Sequence, residues 1–278
     1  MTELKKIYLN TVALFKGASI FKPEKDARVL ICHVLNMEYG NFIAFPQKQI
    51  NSNLVVQLNK VIQRRLTGEP VSKIIGRKMF WKYYFDVSAE VLDPRPETET
   101  IVSEVLARKE KKSRILDLGT GSGCLAISLY LELKNSLIYA SDISKEALSV
   151  AKRNAKNLEA NIKFIESNWF NNITEKFDII VCNPPYLSTR EIENIGDEVK
   201  NFDPYISLFA GSDPMGCYRA ISLDLNDHLV SGGVGFFEVG HLQSNAVFDI
   251  FKRAGFKSIE VKKDLNNVER VVCVKKDA

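Results

Sequence analysis

Ile115-Leu116-Asp117-Leu118-Gly119-Thr120-Gly121-Ser122-Gly123 passes from an apolar run into three alternating glycines. Arg114 to Leu118 reads as a strand and 123 to 132 as the helix after it. Glycines at alternate positions let the backbone turn sharply and come close to a ligand, because no Cβ stands in the way. Dinucleotide-binding folds use the same strand, turn and helix for the same reason. Around this turn the pattern repeats. Leu137 to Ser141 is a strand followed by a helix over 144 to 157, then strands Ile162 to Glu166 and Phe177 to Cys182. After a long irregular loop come a helix near 216 to 229, a strand from Gly233 to Val239 and a helix over 241 to 254. Alternating strands and helices build a mostly parallel sheet covered on both faces. Phe256 to Lys262 and Arg270 to Lys275 have no helix between them and should pair antiparallel.

Asp142 stands at the end of the second strand, where its carboxylate can accept hydrogen bonds from two ribose hydroxyls. Two cofactor classes compete for such a turn. A dinucleotide presents a pyrophosphate to the helix N-terminus. S-adenosylmethionine has no phosphate but needs the same close backbone and the same ribose acceptor. Gly-x-Gly-x-Gly rather than Gly-x-Gly-x-x-Gly, with Asp117 two residues ahead, favours the sulfonium compound.

The second informative stretch is Val181-Cys182-Asn183-Pro184-Pro185-Tyr186, which ends the fourth strand of the series. Two prolines stop that strand and stiffen the start of the loop. If the fourth strand lies beside the first, the sheet order reverses between them, and ligands of open α/β sheets sit at such a point. Asn183 would then neighbour Gly119 to Gly123. An amide or aromatic amino nitrogen is a poor nucleophile because its lone pair is delocalised. The Asn183 side-chain oxygen and the Pro184 carbonyl can accept its two hydrogens, which aims the lone pair at a methyl donor. Tyr186 can stack on a flat target. A carboxylate in place of the amide would offer these acceptors no hydrogen.

Upstream, residues 1 to 68 read as helices. Ala27, Leu30, Ile31, Val34 and Leu35 share a face after Pro23, and Val55, Leu58, Ile62 and Leu66 share one after Ser52, the expected N-cap. Thr67-Gly68-Glu69-Pro70 stops the second helix. Met79 to Val87 is rich in aromatic residues and reads as part of a β-hairpin. Pro94-Arg95-Pro96 is a stiff linker. The expected organisation is a helical domain over 1–70, a hairpin and linker over 71–97, and a catalytic domain over 98–278.

Bulk properties narrow the field. Of 278 residues, 45% are apolar and 26% charged, as in ordinary globular proteins. No run approaches a membrane span, and the N-terminus lacks the pattern of a secretory signal. The five cysteines are spread out, without Cys-x-x-Cys, as expected of reduced thiols in the cytoplasm. The three histidines do not join cysteines at zinc spacing, so no metal is expected. Residues 1 to 70 hold 10 Lys/Arg against 5 Asp/Glu, a net +5 in a chain of net +4. That basic front suits an acidic partner or a solvated helical surface equally well.

The Asn-Pro-Pro-Tyr segment with Asp117 to Gly123 resembles class I methyltransferases acting on amino or amide nitrogens. The resemblance sharpens at Arg64-Arg65, Gly68-Glu69-Pro70, Gly76, Phe80-Trp81 and Pro94-Arg95-Pro96-Glu97-Thr98-Glu99, which are similar to the bacterial HemK/PrmC family. That resemblance covers the chain from about residue 24 onward. It implies a Rossmann-like α/β fold with a mostly parallel seven-stranded sheet and an antiparallel last strand. It also implies methylation, from S-adenosyl-L-methionine, of the glutamine amide in the Gly-Gly-Gln motif of peptide chain release factors. By the same resemblance, Asp117, Gly119, Thr120, Gly121, Ser122, Gly123, Asp142, Trp169 and Asn183 would hold the cofactor. Asn183, Pro184, Pro185 and Tyr186 would line the glutamine slot, and the helical front would grip the release factor. Asn168 stands where the family usually has aspartate, and Asp93 where it usually has an aliphatic residue. A monomer without specific DNA binding is expected.

Three alternatives arise from the same residues. A glutamine methyltransferase of a ribosomal protein shares Asn-Pro-Pro-Tyr, but its linker typically reads Pro-Arg-Ser rather than Pro94-Arg95-Pro96. A nucleic-acid amino methyltransferase fits the same clamp after base flipping, yet requires a more basic groove than the near-neutral chain after residue 70. A binding module without catalysis would have no use for the glycines, Asp142 and Asn183.

Overall fold

The computed structural model describes residues 1–108, 113–189, 191 and 195–277. Its larger unit is built on seven strands: β1 (Arg114–Leu118), β2 (Leu137–Asp142), β3 (Ile162–Glu166), β4 (Phe177–Cys182), β5 (Leu229–Glu238), β6 (Ser258–Lys263) and β7 (Glu269–Lys275). The sheet order is β3-β2-β1-β4-β5-β7-β6, and β7 runs antiparallel to both of its neighbours. This is the mostly parallel seven-stranded sheet that the alternating sequence pattern predicts. Central parallel strands are buried on both faces, so they read as continuous apolar runs. Ile179 and Val181 of β4 enter one core cluster, while Ile180 and Cys182 enter the other.

Strand register brings the two signature segments together. Leu118 pairs with Cys182, and Leu118 also pairs with Ser141. Gly119, Asn183 and Asp142 therefore leave or end three adjacent strands at the same edge. The order reversal between β1 and β4 is the expected one.

The hairpin belongs to this unit rather than to a separate connector. Contacts divide the chain at Gly76/Arg77, not at residue 70. Arg77–Phe80 pairs with Tyr83–Asp86, and Phe80 and Phe85 are buried in the core beside Ile101 and Leu125. Glu132 at the end of helix Cys124–Glu132 accepts hydrogen bonds from Trp81 Nε1, Lys82 Nζ and Tyr83 Oη. Asn154, buried in helix Lys145–Asn157, accepts from the Asp86 N–H at 2.7 Å and donates to the Ser122 carbonyl at 2.9 Å. One buried amide thus ties the hairpin to the glycine turn, and a buried amide without partners would be costly.

The smaller unit comprises Met1–Gly76 and Asp197–Phe202. Helices Leu4–Gly17, Pro23–Val34 and Ser52–Leu66 bury Phe15, Leu30, Ile31, Leu58 and Ile62. Asn51, not Ser52, caps the last of these: its side chain accepts from the Leu54 N–H at 2.9 Å, and Ser52 is the first helical residue. Arg65 is buried, bonded to Asp26 at 2.9 Å and paired with Glu198. The segment expected as an irregular loop after Tyr186 contains helices Asp197–Phe202 and Tyr205–Leu208. Among the described residues, no helix is long and apolar enough to cross a membrane.

Candidate active site

Beyond the carboxyl ends of β1, β2 and β4 lies a cavity of about 440 Å³, within the roughly 300–1,000 Å³ typical of small-ligand sites. Gly119, Thr120, Gly121 and Ser122 form one wall. The Gly119 and Thr120 N–H groups both donate to the Ser141 carbonyl, at 2.9 and 2.8 Å, which folds the turn back over β2. Gly121 has φ +54, and a Cβ there would meet nothing within 4 Å. Glycine at this position keeps ligand space clear and permits the left-handed backbone. Gly123 has another task. A Cβ there would come within 3.1 Å of the Ala151 Cβ, so its absence lets the helix pack against Lys145–Asn157.

Asp142 lines the cavity. One of its oxygens accepts from the Gly121 N–H at 2.8 Å and the other from the Ser144 N–H at 2.9 Å. Each carboxylate oxygen has two acceptor sites, so capacity remains for two hydroxyls. Burial pushes this carboxyl's pKa up, while the backbone N–H groups of Ser144, Gly121 and Ile143 oppose the shift. Asn168 and Trp169 supply a further wall, with the Trp169 ring 3.9 Å from the place a Gly119 Cβ would take. This planar surface beside the ribose acceptor suits an adenine ring.

Asp117 sits differently from the expectation. It does not line the cavity but lies behind the turn, buried, where it accepts from Thr120 Oγ1 at 2.6 Å and the Ala126 N–H at 3.2 Å. Its position two residues ahead of Gly119 shapes the turn instead of touching the space inside it. Pro184 and Tyr186 are also absent from the wall, whereas Asn183 and Pro185 are on it. Tyr186 packs against the core cluster around Tyr218 and Phe237, and its carbonyl accepts from Gln243 Nε2 at 2.9 Å. Burial raises its phenol pKa to about 12. Tyr186 braces the loop, so the stacking surface expected of it is not presented to the cavity.

Two further walls come from segments that the sequence reading did not place at the cavity. The linker from Glu90 to Arg95 forms a complete wall, and Ile206 to Gly211 forms another. Each is held from outside: Arg95 Nη2 bonds Asp203 at 2.6 Å, and Phe209 forms a β-bridge with Leu187. Thr98, at the end of the same linker, accepts from Asn183 Nδ2 at 3.1 Å.

The electrostatics discriminate between ligand classes. Burial raises Asp117 to about 7, against the hydrogen bonds from Thr120 and Ala126, with the Asp142 charge adding to the rise. Burial likewise raises Glu238, at the end of β5, to about 7. The Asp142 carboxylate, on the cavity wall, favours a cationic ligand and opposes a pyrophosphate. The open cradle at Gly121, the residual acceptor capacity of Asp142 and this acidic setting fit S-adenosylmethionine.

The same two carboxyls give a pH prediction. In the unfolded chain they release protons near pH 4; in the fold they hold them to about pH 7. The folded state binds more protons in that window, so their contribution to stability is full below it and is lost as pH rises through it. In the ligand-free protein, Asp117→Asn with Glu238→Gln should remove this loss. The readout is the melting-temperature difference between wild type and double variant at about pH 5 and pH 8. An unchanged difference would contradict the assignment.

The chain is similar to known proteins along most of its length. Residues 8–76 match the PrmC N-terminal domain family and residues 88–199 the methyltransferase small domain family. The chain is 39% identical to a release factor glutamine methyltransferase of Francisella tularensis, over 88% of each chain. It is 37% identical to a bifunctional methyltransferase of Rickettsia bellii, covering 91% of this chain and 51%, about half, of that longer protein. A solved methyltransferase from Pyrococcus furiosus shares the fold, with TM-score 0.52, 15% identity and coverage of 70% of this chain and 89% of that one.

Proposed function

The chain belongs to the release factor glutamine methyltransferase family, and from that premise we propose how its residues methylate the side-chain amide of the glutamine in the Gly-Gly-Gln motif of peptide chain release factors. The observation that carries the proposal is Asn183 on the wall of the cavity beside the glycine turn, with its amide nitrogen engaged by Thr98. When bound, S-adenosylmethionine supplies an electrophilic methyl carbon on cationic sulfur and leaves as S-adenosyl-L-homocysteine. Gly119 to Ser122 cradle its amino-acid and ribose portions, Asp142 accepts from the ribose hydroxyls, and Trp169 covers the adenine. Asp117 and Gly123 keep the turn in shape from behind.

Asn183 Oδ1, on the cavity wall, accepts one hydrogen of the substrate amide, and the carbonyl of Pro184, which lies outside that wall, accepts the other. This holds the amide plane so that the nitrogen lone pair points to the methyl group, and it stabilises the positive charge that grows on nitrogen. The methylated, cationic amide nitrogen is strongly acidic, so its extra proton leaves after transfer without a dedicated base. Pro185 closes the slot. A glutamate side chain would place oxygens against both acceptors and be rejected. The helical unit grips the release factor away from its glutamine, and the protein acts as a cytoplasmic monomer.

The experiment is methylation with labelled cofactor of a purified release factor, its Gly-Gly-Glu variant, a ribosomal protein and DNA. Label on the wild-type factor alone is expected. Label on DNA or ribosomal protein, with none on the factor, would overturn the substrate assignment.

A further inference from the structure

β5 ends beside the strand that carries Asn183, with Phe237 paired to Cys182. The chain then turns through Gly240-His241-Leu242-Gln243 into helix Ser244–Arg253. The Gln243 N–H closes this turn by donating to the Gly240 carbonyl at 3.1 Å. Leu242 within it holds φ 63 and is 84% exposed, so its backbone is strained while its side chain gains little packing. Gln243 stands at the N-cap of the helix, yet its side chain makes no capping bond. Ser, Thr, Asp or Asn would serve better there. Both residues break local preference, and such breaks gather where function constrains the chain.

The Gln243 amide is engaged elsewhere. Its Oε1 accepts from the Gly240 N–H at 3.2 Å, and its Nε2 donates to the Tyr186 carbonyl at 2.9 Å. One partner is a backbone donor and the other a backbone acceptor, so only one orientation of the amide satisfies both. The contact also needs a glycine at 240. A Cβ there would stand 2.7 Å from Gln243 Oε1 and 2.9 Å from Tyr186 Cδ2.

We propose that Gln243 is a positioning residue, which clasps the far end of the Asn-Pro-Pro-Tyr segment and so sets the direction of the two amide acceptors, Asn183 Oδ1 and the Pro184 carbonyl. The near end is fixed by β4, where Cys182 pairs with Leu118 on one side and Phe237 on the other. Between the ends, the rings of Pro184 and Pro185 hold φ, so ψ is the main freedom left. The Pro184 carbonyl turns with that angle. At the far end, the peptide between Tyr186 and Leu187 is tied from two directions: the Leu187 N–H donates to the Leu208 carbonyl at 3.1 Å, and Gln243 holds the Tyr186 carbonyl. Removing Gln243 leaves one tie, and the segment can rotate out of register with the methyl donor. The inference rests on the reading of Asn183 and Pro184 as acceptors for the substrate amide.

The test compares Gln243→Leu, which removes both bonds, with Gln243→Glu, whose carboxylate still accepts from the Gly240 N–H but has no hydrogen for the Tyr186 carbonyl. Both should lower kcat for release-factor methylation about 10- to 100-fold, the scale of a misplaced reacting group. Cofactor Kd should stay within about threefold, because Gln243 lies outside the cofactor cavity. Gly240→Ala should lower kcat on the same scale, since its Cβ displaces the clasping amide. Gln243→Leu with wild-type kcat would overturn the inference. So would Gln243→Glu within about threefold of wild type, because the turn bond to Gly240 would then account for Gln243 by itself. A parallel fall of kcat and cofactor binding would overturn it too, as the mark of a scaffold residue. If Gln243→Leu fails to fold, Gln243→Glu, which keeps the size and the turn bond, decides alone. All these outcomes leave methylation by the wild-type protein intact. A wild-type protein that labels no release factor would remove the functional reading and this inference together.

Discussion

Asn183→Ala is expected to lower kcat for release-factor methylation about 100-fold or more, with cofactor Kd within about threefold of wild type. The variant removes an acceptor that matters most as positive charge develops on the substrate nitrogen. An interaction stronger in the transition state than in the ground state appears in kcat rather than in binding. The backbone of Asn183 stays in place because β4 is paired on both sides and Pro184 and Pro185 stiffen the exit. Single-turnover methylation together with calorimetric titration of the cofactor separates the two quantities. Turnover near wild type would remove Asn183 from the chemistry.

The second large effect is expected at Asp142. Its carboxylate holds the Gly121 and Ser144 N–H groups at 2.8 and 2.9 Å while facing the cavity. Asp142→Ala removes the acceptor proposed for the ribose and also releases the turn that shapes the cradle. Hydrogen bonds to a charged acceptor contribute about 1.5–3 kcal/mol each, so the loss of even one ribose bond should raise cofactor Kd about 10- to 100-fold. The melting-temperature gain on adding cofactor should shrink in parallel. A wild-type Kd in a folded Asp142→Ala protein would refute the role.

What was legible in the sequence is what local pattern encodes. The strands of the large sheet are short apolar runs between turn signals, and their order comes from helix-linked connections, so the meeting of Gly119 with Asn183 was accessible from the chain alone. Position relative to the cavity was not. Asp117 and Tyr186 stand inside recognisable motifs, yet strand pleat and loop packing turn both away from the ligand space. Spacing identifies such residues without saying which side of the backbone they occupy. Long-range polar partners were equally hidden. Thr98 meets Asn183 across 85 positions, and Asp86 meets Asn154 across 68. Neither pair has a periodicity to betray it. The Pro94 to Glu99 linker was conspicuous as a motif, but its work, pinning Asp203 through Arg95 and Asn183 through Thr98, is visible only in three dimensions. Asn51 displaced Ser52 as helix cap because both are good cap residues and only geometry chooses between neighbours.

The central claim is that the methyl group goes to a glutamine amide nitrogen, and the most direct measurement is tandem mass spectrometry of a release factor after incubation with the protein and S-adenosylmethionine. The expected result is the added mass of one methyl group on the glutamine of the Gly-Gly-Gln peptide, present with wild-type protein and lost with Asn183→Ala. A methyl group on any other residue of the factor, or an unmodified Gly-Gly-Gln peptide after complete turnover of the cofactor, would contradict it.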